Sequence, residues 1–240
     1  MDSLLKNKKT DDIGKMFDDI APGYDFLNHF LSFNNDKCWR AKLIRLLQKE
    51  NPQDILDVAT GTADLAIMAA KHLPAVQITG IDIAEKMLEK GRKKIKKIKA
   101  ANNIRLINAS AENIPFADNT FDTVMVAFGV RNFQHLSTGL QEMLRVAKPG
   151  KKIFILEFSK PTGFFKLLYT IYFRLYLPLA GRLISGNKSA YKYLRNSVAA
   201  FPEGASFMDI MKQNGFCHTG QQRLSGGIAT IYTGEKEKII

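Results

Sequence analysis

The sequence contains little cysteine and little histidine. Its two cysteines, Cys38 and Cys217, lie far apart and outside any CxxC spacing. That pattern argues against a disulfide framework or a zinc site. The four histidines are scattered without metal-ligand spacing, and we therefore predict no bound metal.

Long apolar runs are also absent. No uncharged apolar stretch approaches the ~18 residues needed to span a bilayer, and the N-terminal MDSLLKNKKTDD lacks the apolar centre of a signal peptide. The 240 residues, 45% hydrophobic and 24% charged, are typical of a soluble globular protein with one substantial core. We expect a cytoplasmic protein.

Negative charge is outweighed by positive charge. The 35 Lys and Arg residues exceed the 23 Asp and Glu residues and give a net charge of +12. Such an excess favours anionic partners, either nucleic acid or the acidic face of a membrane. Many cations lie in 86–99, where helical spacing predicts that Met87, Leu88, Ile95 and Ile98 are buried and the lysines solvated. Charge alone does not choose between the partners.

Apolar strand-like runs alternate with amphipathic helical stretches from residue 54 to 159. This rhythm predicts a parallel sheet covered by helices on both faces. Two further strand-like runs, joined at Ser225-Gly226-Gly227, predict an antiparallel hairpin at the sheet edge. We predict one domain over 1–240, with an N-terminal helical cap (1–50), a ligand-binding core (51–160), a helical insertion (161–215) and the hairpin (216–240).

The stretch ILDVATGTADLA, residues 55–66, predicts a buried strand, a turn at Gly61 and a helix. Proteins of the α/β class bind nucleotides at such turns. The stretch lacks the lysine of a phosphate-binding P-loop and two of the three glycines of a G-x-G-x-x-G dinucleotide motif. We therefore expect a ligand that places no pyrophosphate there.

The pattern D-x-A-x-G-x-A-D in this stretch resembles the first motif of class I S-adenosylmethionine (AdoMet) methyltransferases, commonly [DE]-x-G-x-G-x-G. Three further motifs follow in order, each where a predicted strand ends. The resemblance implies a Rossmann-like fold with a seven-stranded, mostly parallel sheet and a terminal antiparallel hairpin. It also implies that Asp82 accepts hydrogen bonds from the ribose and that Ser110-Ala111 forms the adenine turn. The cofactor-binding residues it implies are Asp57, Gly61, Thr62, Asp82, Ser110, Ala111 and Ala127.

Three longer segments narrow the resemblance. These segments are YDFLNHFLSFNNDKCW (24–39), FGVRN (128–132) and RVAKPGKKIFILEFSKP (145–161). They resemble signatures of the ubiquinone/menaquinone biosynthesis C-methyltransferase family. In the first segment, Asp36 stands where the signature has histidine. The resemblance implies transfer of a methyl group from AdoMet to a ring carbon of a polyprenylated quinol. We favour demethylmenaquinol as the acceptor, and the benzoquinol precursor of ubiquinone stays open.

A ring carbon becomes a good nucleophile when a neighbouring hydroxyl, with a pKa of roughly 10, loses its proton. Arg131 and Asn132 follow a predicted strand end, and we predict that they act in catalysis: Arg131 stabilises the developing phenolate and, with a water molecule, helps to remove the proton. Tyr24 and Asp25, in the N-terminal cap, are predicted to close over the acceptor. The alternatives are a salt bridge for Arg131 and an ordinary helix start at Tyr24. Glu157 and Ser159 either line the acceptor pocket or hold the fold together.

Aromatic residues and leucines recur at helical spacing in 161–184, interrupted by Lys166, Arg174 and Arg182. Because a prenyl tail lies in the bilayer, we predict that this segment makes peripheral contact with an anionic membrane, at the inner face of the plasma membrane. The alternative is that the segment packs onto the sheet as core.

Two other functions stay open: a methyltransferase acting on RNA or protein, and a non-catalytic AdoMet-binding scaffold within a quinone-synthesis assembly. Against the first, the stretch AFGVRN replaces the N/D-P-P-[YF] tetrapeptide of many amino-group methyltransferases, and no RNA-binding module is appended. We therefore expect no nucleic-acid partner. An oligomer is compatible with the sequence.

Overall fold

The computed structural model describes residues 10–21, 24, 25, 32, 34–98, 103–161 and 188–238. The helices are α1 (Thr10–Ile20), α2 (Asn35–Gln48), α3 (Asp64–His72), α4 (Glu85–Lys96), α5 (Leu136–Val146), α6 (Lys188–Ala200) and α7 (Ala205–Gln213). The strands are β1 (Asp54–Val58), β2 (Gln77–Asp82), β3 (Ile104–Asn108), β4 (Thr123–Ala127), β5 (Lys152–Phe158), β6 (Phe216–Leu224) and β7 (Ala229–Lys236).

The seven strands form one sheet in the order β3-β2-β1-β4-β5-β7-β6. Strands β1 to β5 pair in parallel, whereas β7 runs antiparallel between β5 and β6. The predicted fold class is therefore confirmed, including the hairpin that turns at Ser225–Gly227.

Both faces of the sheet are buried, because successive strand residues point to opposite sides. Ile55 belongs to the core under α2 and α3, and its neighbour Leu56 belongs to the core under α5 and α7. This double burial explains the near-continuous apolar strands. Among the described residues, no helix is both long and apolar enough to cross a membrane.

The fourth strand ends earlier than its apolar pattern predicts. The apolar run FDTVMVAFG, residues 121–129, predicts one continuous strand. The strand is Thr123–Ala127, and Phe128 then adopts a left-handed backbone with φ 59°. Because an L-residue rarely takes that conformation, the chain leaves the sheet there. It forms a short 3-10 turn at Val130–Asn132, and this turn places Asn132 at the carboxyl end of the sheet.

The charged helix α4 packs closely on the loop that follows β1. Met87, Leu88 and Ile95 are buried, as predicted, and Ile98 is half-buried. Gly91 faces the same loop, and a Cβ there would lie 2.9 Å from Leu106 Cδ1 and 3.3 Å from the Thr62 carbonyl carbon. The glycine therefore allows the helix to approach the loop backbone. The sequence pattern predicts a helical stretch near 84–101, of which residues 99–101 lie outside the described part of the chain.

We predict that Gly91→Ala lowers the free energy of unfolding by about 1–3 kcal/mol, because the added methyl group overpacks this contact. Gly14→Ala in α1 is the matched control. Its Cβ would meet atoms no closer than 3.6 Å, so the usual helix preference of alanine should make it neutral or stabilising by up to about 1 kcal/mol. Urea unfolding measures both variants, and equal stability of Gly91→Ala and the unmodified protein would contradict the packing argument.

Candidate active site

A cleft of about 670 Å³, including its open mouth, lies at the carboxyl ends of the parallel strands. Ligands of open α/β sheets bind at this edge. Loops after β1, β2, β3 and β4 form its floor, and α1 forms one wall. Its lining comprises Ile13, Phe17, Tyr24, Ala59, Gly61, Asp82, Ile83, Met87, Ala109, Ser110, Ala111, Glu112, Ala127, Phe128, Gly129, Asn132, Phe133 and Gln134.

The loop after β1 contains three residues with left-handed backbones. Ala59, Gly61 and Ala63 have φ angles of 51°, 57° and 65°. They occupy the three glycine positions of the [DE]-x-G-x-G-x-G motif, which explains why glycine is common there. The loop turns tightly enough for the Tyr24 ring to lie over Gly61, 4.0 Å from where a Cβ would be.

Asp82 ties this loop to the end of β2. Its carboxylate accepts hydrogen bonds from the backbone N–H groups of Gly61 (2.8 Å) and Ala84 (2.9 Å). Burial raises the pKa of Asp82 above its ordinary value. A carboxylate has about four lone-pair positions, so Asp82, at the cleft wall, retains acceptor capacity for ligand hydroxyl groups.

Asp57 lies in the buried part of β1, one residue before the strand ends, and is 1% exposed. It accepts a hydrogen bond of 2.6 Å from the Thr60 hydroxyl. Burial raises the pKa of Asp57 to about 7, against the opposing effects of the Thr60 hydrogen bond and the Arg40 charge. A buried carboxylate of this kind favours a cationic ligand group nearby.

The N-terminal cap is fastened to the loop through Asp25. Its carboxylate accepts a hydrogen bond from the Thr62 hydroxyl (2.5 Å) and pairs with Lys90 (2.9 Å) and Lys94 (3.1 Å). Burial acts to raise the pKa of Asp25, but these donors outweigh it and the pKa is lowered. Asp25 therefore stays ionised and holds Tyr24 at the cleft.

Arg131 lies behind the cleft wall rather than in its lining. Its Nη1 donates to the fully buried carboxylate of Glu157 at 2.7 Å and also to the carbonyl of Phe128. The pair therefore braces the left-handed turn at Phe128. The salt-bridge alternative for Arg131 is what the geometry shows, while its catalytic role stays a prediction.

Asn132 does line the cleft. Its Oδ1 accepts a hydrogen bond of 3.1 Å from the hydroxyl of Tyr193 in α6. Burial raises the pKa of Tyr193 to about 12, so this hydroxyl keeps its proton at neutral pH. The tyrosine thereby fixes the amide orientation. The Asn132 NH₂ group donates to the Phe128 carbonyl at 3.4 Å and has a second N–H for a ligand.

The structure thus brings most predicted site residues together. The cleft is lined by Tyr24, Gly61, Asp82, Ser110, Ala111, Ala127 and Asn132. A smaller pocket beside it is lined by Asp57 and Thr62. The sequence did not identify the lining residues Ile13, Phe17, Ile83, Phe128 and Arg40. Ile83 could have been found, because an apolar residue directly after an acidic strand end is well placed to pack against a flat ring.

The strand order, the single antiparallel strand, the glycine loop and the acid at the end of β2 define a class I AdoMet-dependent methyltransferase. The chain belongs to the ubiE/COQ5 methyltransferase family, whose model matches residues 4–236.

Two relatives show the extent of the similarity. A demethylmenaquinone methyltransferase from Bacteroides fragilis is 44% identical over 230 residues, covering 95% of this chain and 94% of the relative. The ubiquinone/menaquinone biosynthesis C-methyltransferase UbiE from Geotalea daltonii is 47% identical over 231 residues, covering 95% and 98%.

Among solved structures, the fold is similar to a SAM-dependent methyltransferase from Thermotoga maritima, described as a possible histamine N-methyltransferase. The TM-score is 0.63 at 17% sequence identity, with 92% of this chain and 100% of that chain covered. At this identity the likeness concerns the fold alone.

We predict that AdoMet binds more tightly as the pH rises through about 7. Below that pH Asp57 is protonated and neutral, whereas above it the carboxylate is anionic and attracts the net positive charge of AdoMet. Binding should then release protons. Calorimetry at several pH values, in buffers of different ionisation enthalpy, measures both effects.

Asp57→Asn should remove this pH dependence, because the amide does not titrate in this range. Glu89→Gln, which changes an exposed acid on α4, is the control and should retain it. An affinity of the unmodified protein that is flat across neutral pH would contradict the prediction.

Proposed function

We propose that the protein transfers the methyl group of AdoMet to a ring carbon of demethylmenaquinol, giving menaquinol. The observation that carries the proposal is the 44% identity, over nearly the whole chain, to a relative named for this reaction. The cleft supports it, because residues predicted to bind the cofactor and hydrogen-bond donors for the methyl acceptor line the same space.

We propose one orientation for the cofactor in the cleft. Asp82 would accept hydrogen bonds from the ribose hydroxyls, and Ser110-Ala111 with Ile83 would hold the adenine ring. Asp57 and Thr62, in the adjoining pocket, would hold the methionine end. Ala127 is common to both spaces and would lie near the methyl group.

The chemistry requires an electron-rich ring carbon in line with the methyl group and the sulfur. In that reaction the neighbouring hydroxyl would give its proton to water, and the ring carbon would form a C–CH₃ bond as the S–CH₃ bond breaks and S-adenosylhomocysteine leaves. The ring carbon would then lose its own proton and the oxygen would regain one, so that methylation releases one proton overall. The NH₂ group of Asn132 donates to the phenolate oxygen and stabilises its charge. Arg131, paired with Glu157, holds the turn that carries Asn132, and Tyr24 closes the cleft.

The direct test incubates the purified protein with methyl-labelled AdoMet and demethylmenaquinol in detergent, with product identified by mass spectrometry. We expect methylated menaquinol from the unmodified protein. Asn132→Ala should lower kcat about 100-fold, as for the loss of one oxyanion donor, with little change in AdoMet affinity.

Asn103→Ala is the matched control. Asn103 bonds the Val76 carbonyl just before β3 begins, at the sheet edge opposite the cleft, so its turnover should stay close to that of the unmodified protein. Product from the benzoquinol precursor alone would favour ubiquinone synthesis, a pathway also named in one relative. AdoMet binding without methylation of either quinol would favour a scaffold.

We also propose peripheral contact with an anionic membrane, which supplies the prenylated quinol. The net charge of +12 supports it, as do the exposed lysines on α4 and directly after it, Lys86, Lys93, Lys96 and Lys97. Most of the predicted contact segment, 162–184, lies outside the described residues. The membrane role therefore rests on sequence and charge.

Flotation with vesicles measures this contact. We expect the protein to bind vesicles rich in phosphatidylglycerol, and binding to fall as salt screens the charges. Phe165→Asp/Tyr172→Asp should weaken it, whereas Gln213→Asp/Gln222→Asp, which adds the same charge at exposed positions of α7 and β6, should not. Equal binding by both double variants would count against the segment.

A further inference from the structure

A small pocket of about 340 Å³, including its mouth, adjoins the main cleft. The two spaces share Tyr24, Ala59, Gly61 and Ala127. Asp57 and Arg40 line only the small pocket. Its position next to the glycine loop makes it the place for the amino-acid end of the cofactor.

Arg40 is the one cationic side chain among the described residues that line this pocket. It lies on α2, is 7% exposed, and stacks over the Phe128 ring with its guanidinium carbon 5.4 Å from the ring centre. Its Nη1 pairs with Asp36. Because this pair is neutral, Arg40 contributes hydrogen-bond donors to the pocket rather than net positive charge.

The Nε–H group of Arg40 is buried and has no hydrogen-bond partner within the described part of the chain. Leaving such a donor unpaired costs on the order of 1–3 kcal/mol. Asp36 already accepts from the Ser32 hydroxyl at 2.6 Å and from Arg40 Nη1. A ligand oxygen in the pocket would satisfy the remaining donor.

We propose that Arg40 binds the carboxylate of the methionine end of AdoMet. The neighbouring buried carboxylate of Asp57 suits the ammonium group of the same zwitterion, so the pocket offers hydrogen-bond donors to one end of the amino acid and a carboxylate to the other. A guanidinium is well matched to a carboxylate, because its N–H groups form a planar fork. This assignment rests on AdoMet as the methyl donor and extends the proposed function to a residue outside its motifs.

The test compares AdoMet with decarboxylated AdoMet, which keeps the adenosine, the sulfonium and the ammonium but lacks the carboxylate. Dissociation constants are measured by calorimetry. Arg40→Gln should weaken AdoMet binding about 10- to 100-fold, as for a lost charge-assisted hydrogen bond. The same substitution should leave the affinity for decarboxylated AdoMet nearly unchanged.

Two further variants serve as controls. Arg40→Gln/Asp36→Asn avoids a buried unpaired carboxylate, which would destabilise the fold, and should show the same ligand selectivity. Arg45→Gln removes an exposed arginine from the same helix and should change neither affinity.

Equal weakening of both ligands, or no weakening of AdoMet, would overturn the assignment and leave Arg40 as a partner of Asp36 and Phe128 only. These binding measurements need no quinol. An unmodified protein that binds AdoMet but methylates no quinol would therefore contradict the proposed function while leaving the Arg40 result intact.

Discussion

The hydrogen bonds that Asp82 accepts from Gly61 and Ala84 hold the site together. They join the loop after β1 to the end of β2, and these two loops form the cleft floor. The left-handed backbones at Ala59, Gly61 and Ala63 let that loop turn tightly enough to present its N–H group to the acid. Gly91 then lets α4 approach the loop from behind, and Asp25 fastens the cap over its front.

The charged groups in and behind the cleft are already in place before any ligand binds. Asp57 is buried and Asp82 is half-buried. Burial raises the pKa of both carboxyl groups, so their ionised forms gain from a cationic ligand. Behind the cleft wall, Arg131 and Glu157 neutralise each other. In the proposed reaction the acceptor meets the neutral amide of Asn132, which suits an uncharged quinol that acquires negative charge.

Much of the fold could be predicted from the sequence, because parallel strands that are buried on both faces appear as long apolar runs. The site could be located because Gly61 and Asp82 each follow such a run. Three features escaped it for physical reasons. An arginine on an amphipathic helix usually indicates a solvated side chain. Arg40 is buried instead, against the ring of Phe128, which is distant in the sequence. The pairing of Arg131 with Glu157 joins two segments through tertiary packing. The strand ending at Ala127 depends on a backbone conformation at Phe128 that its side chain disfavours.

In the proposed complex, the cleft around Gly61 and Asp82 holds AdoMet with its ribose on Asp82 and its methionine end toward Asp57. A crystal structure with S-adenosylhomocysteine, the demethylated product, is the decisive measurement. We expect ribose hydroxyls within hydrogen-bond distance of Asp82 and the amino-acid carboxylate on Arg40. A nucleoside bound elsewhere, or bound with its ribose away from Asp82, would rule out this binding mode.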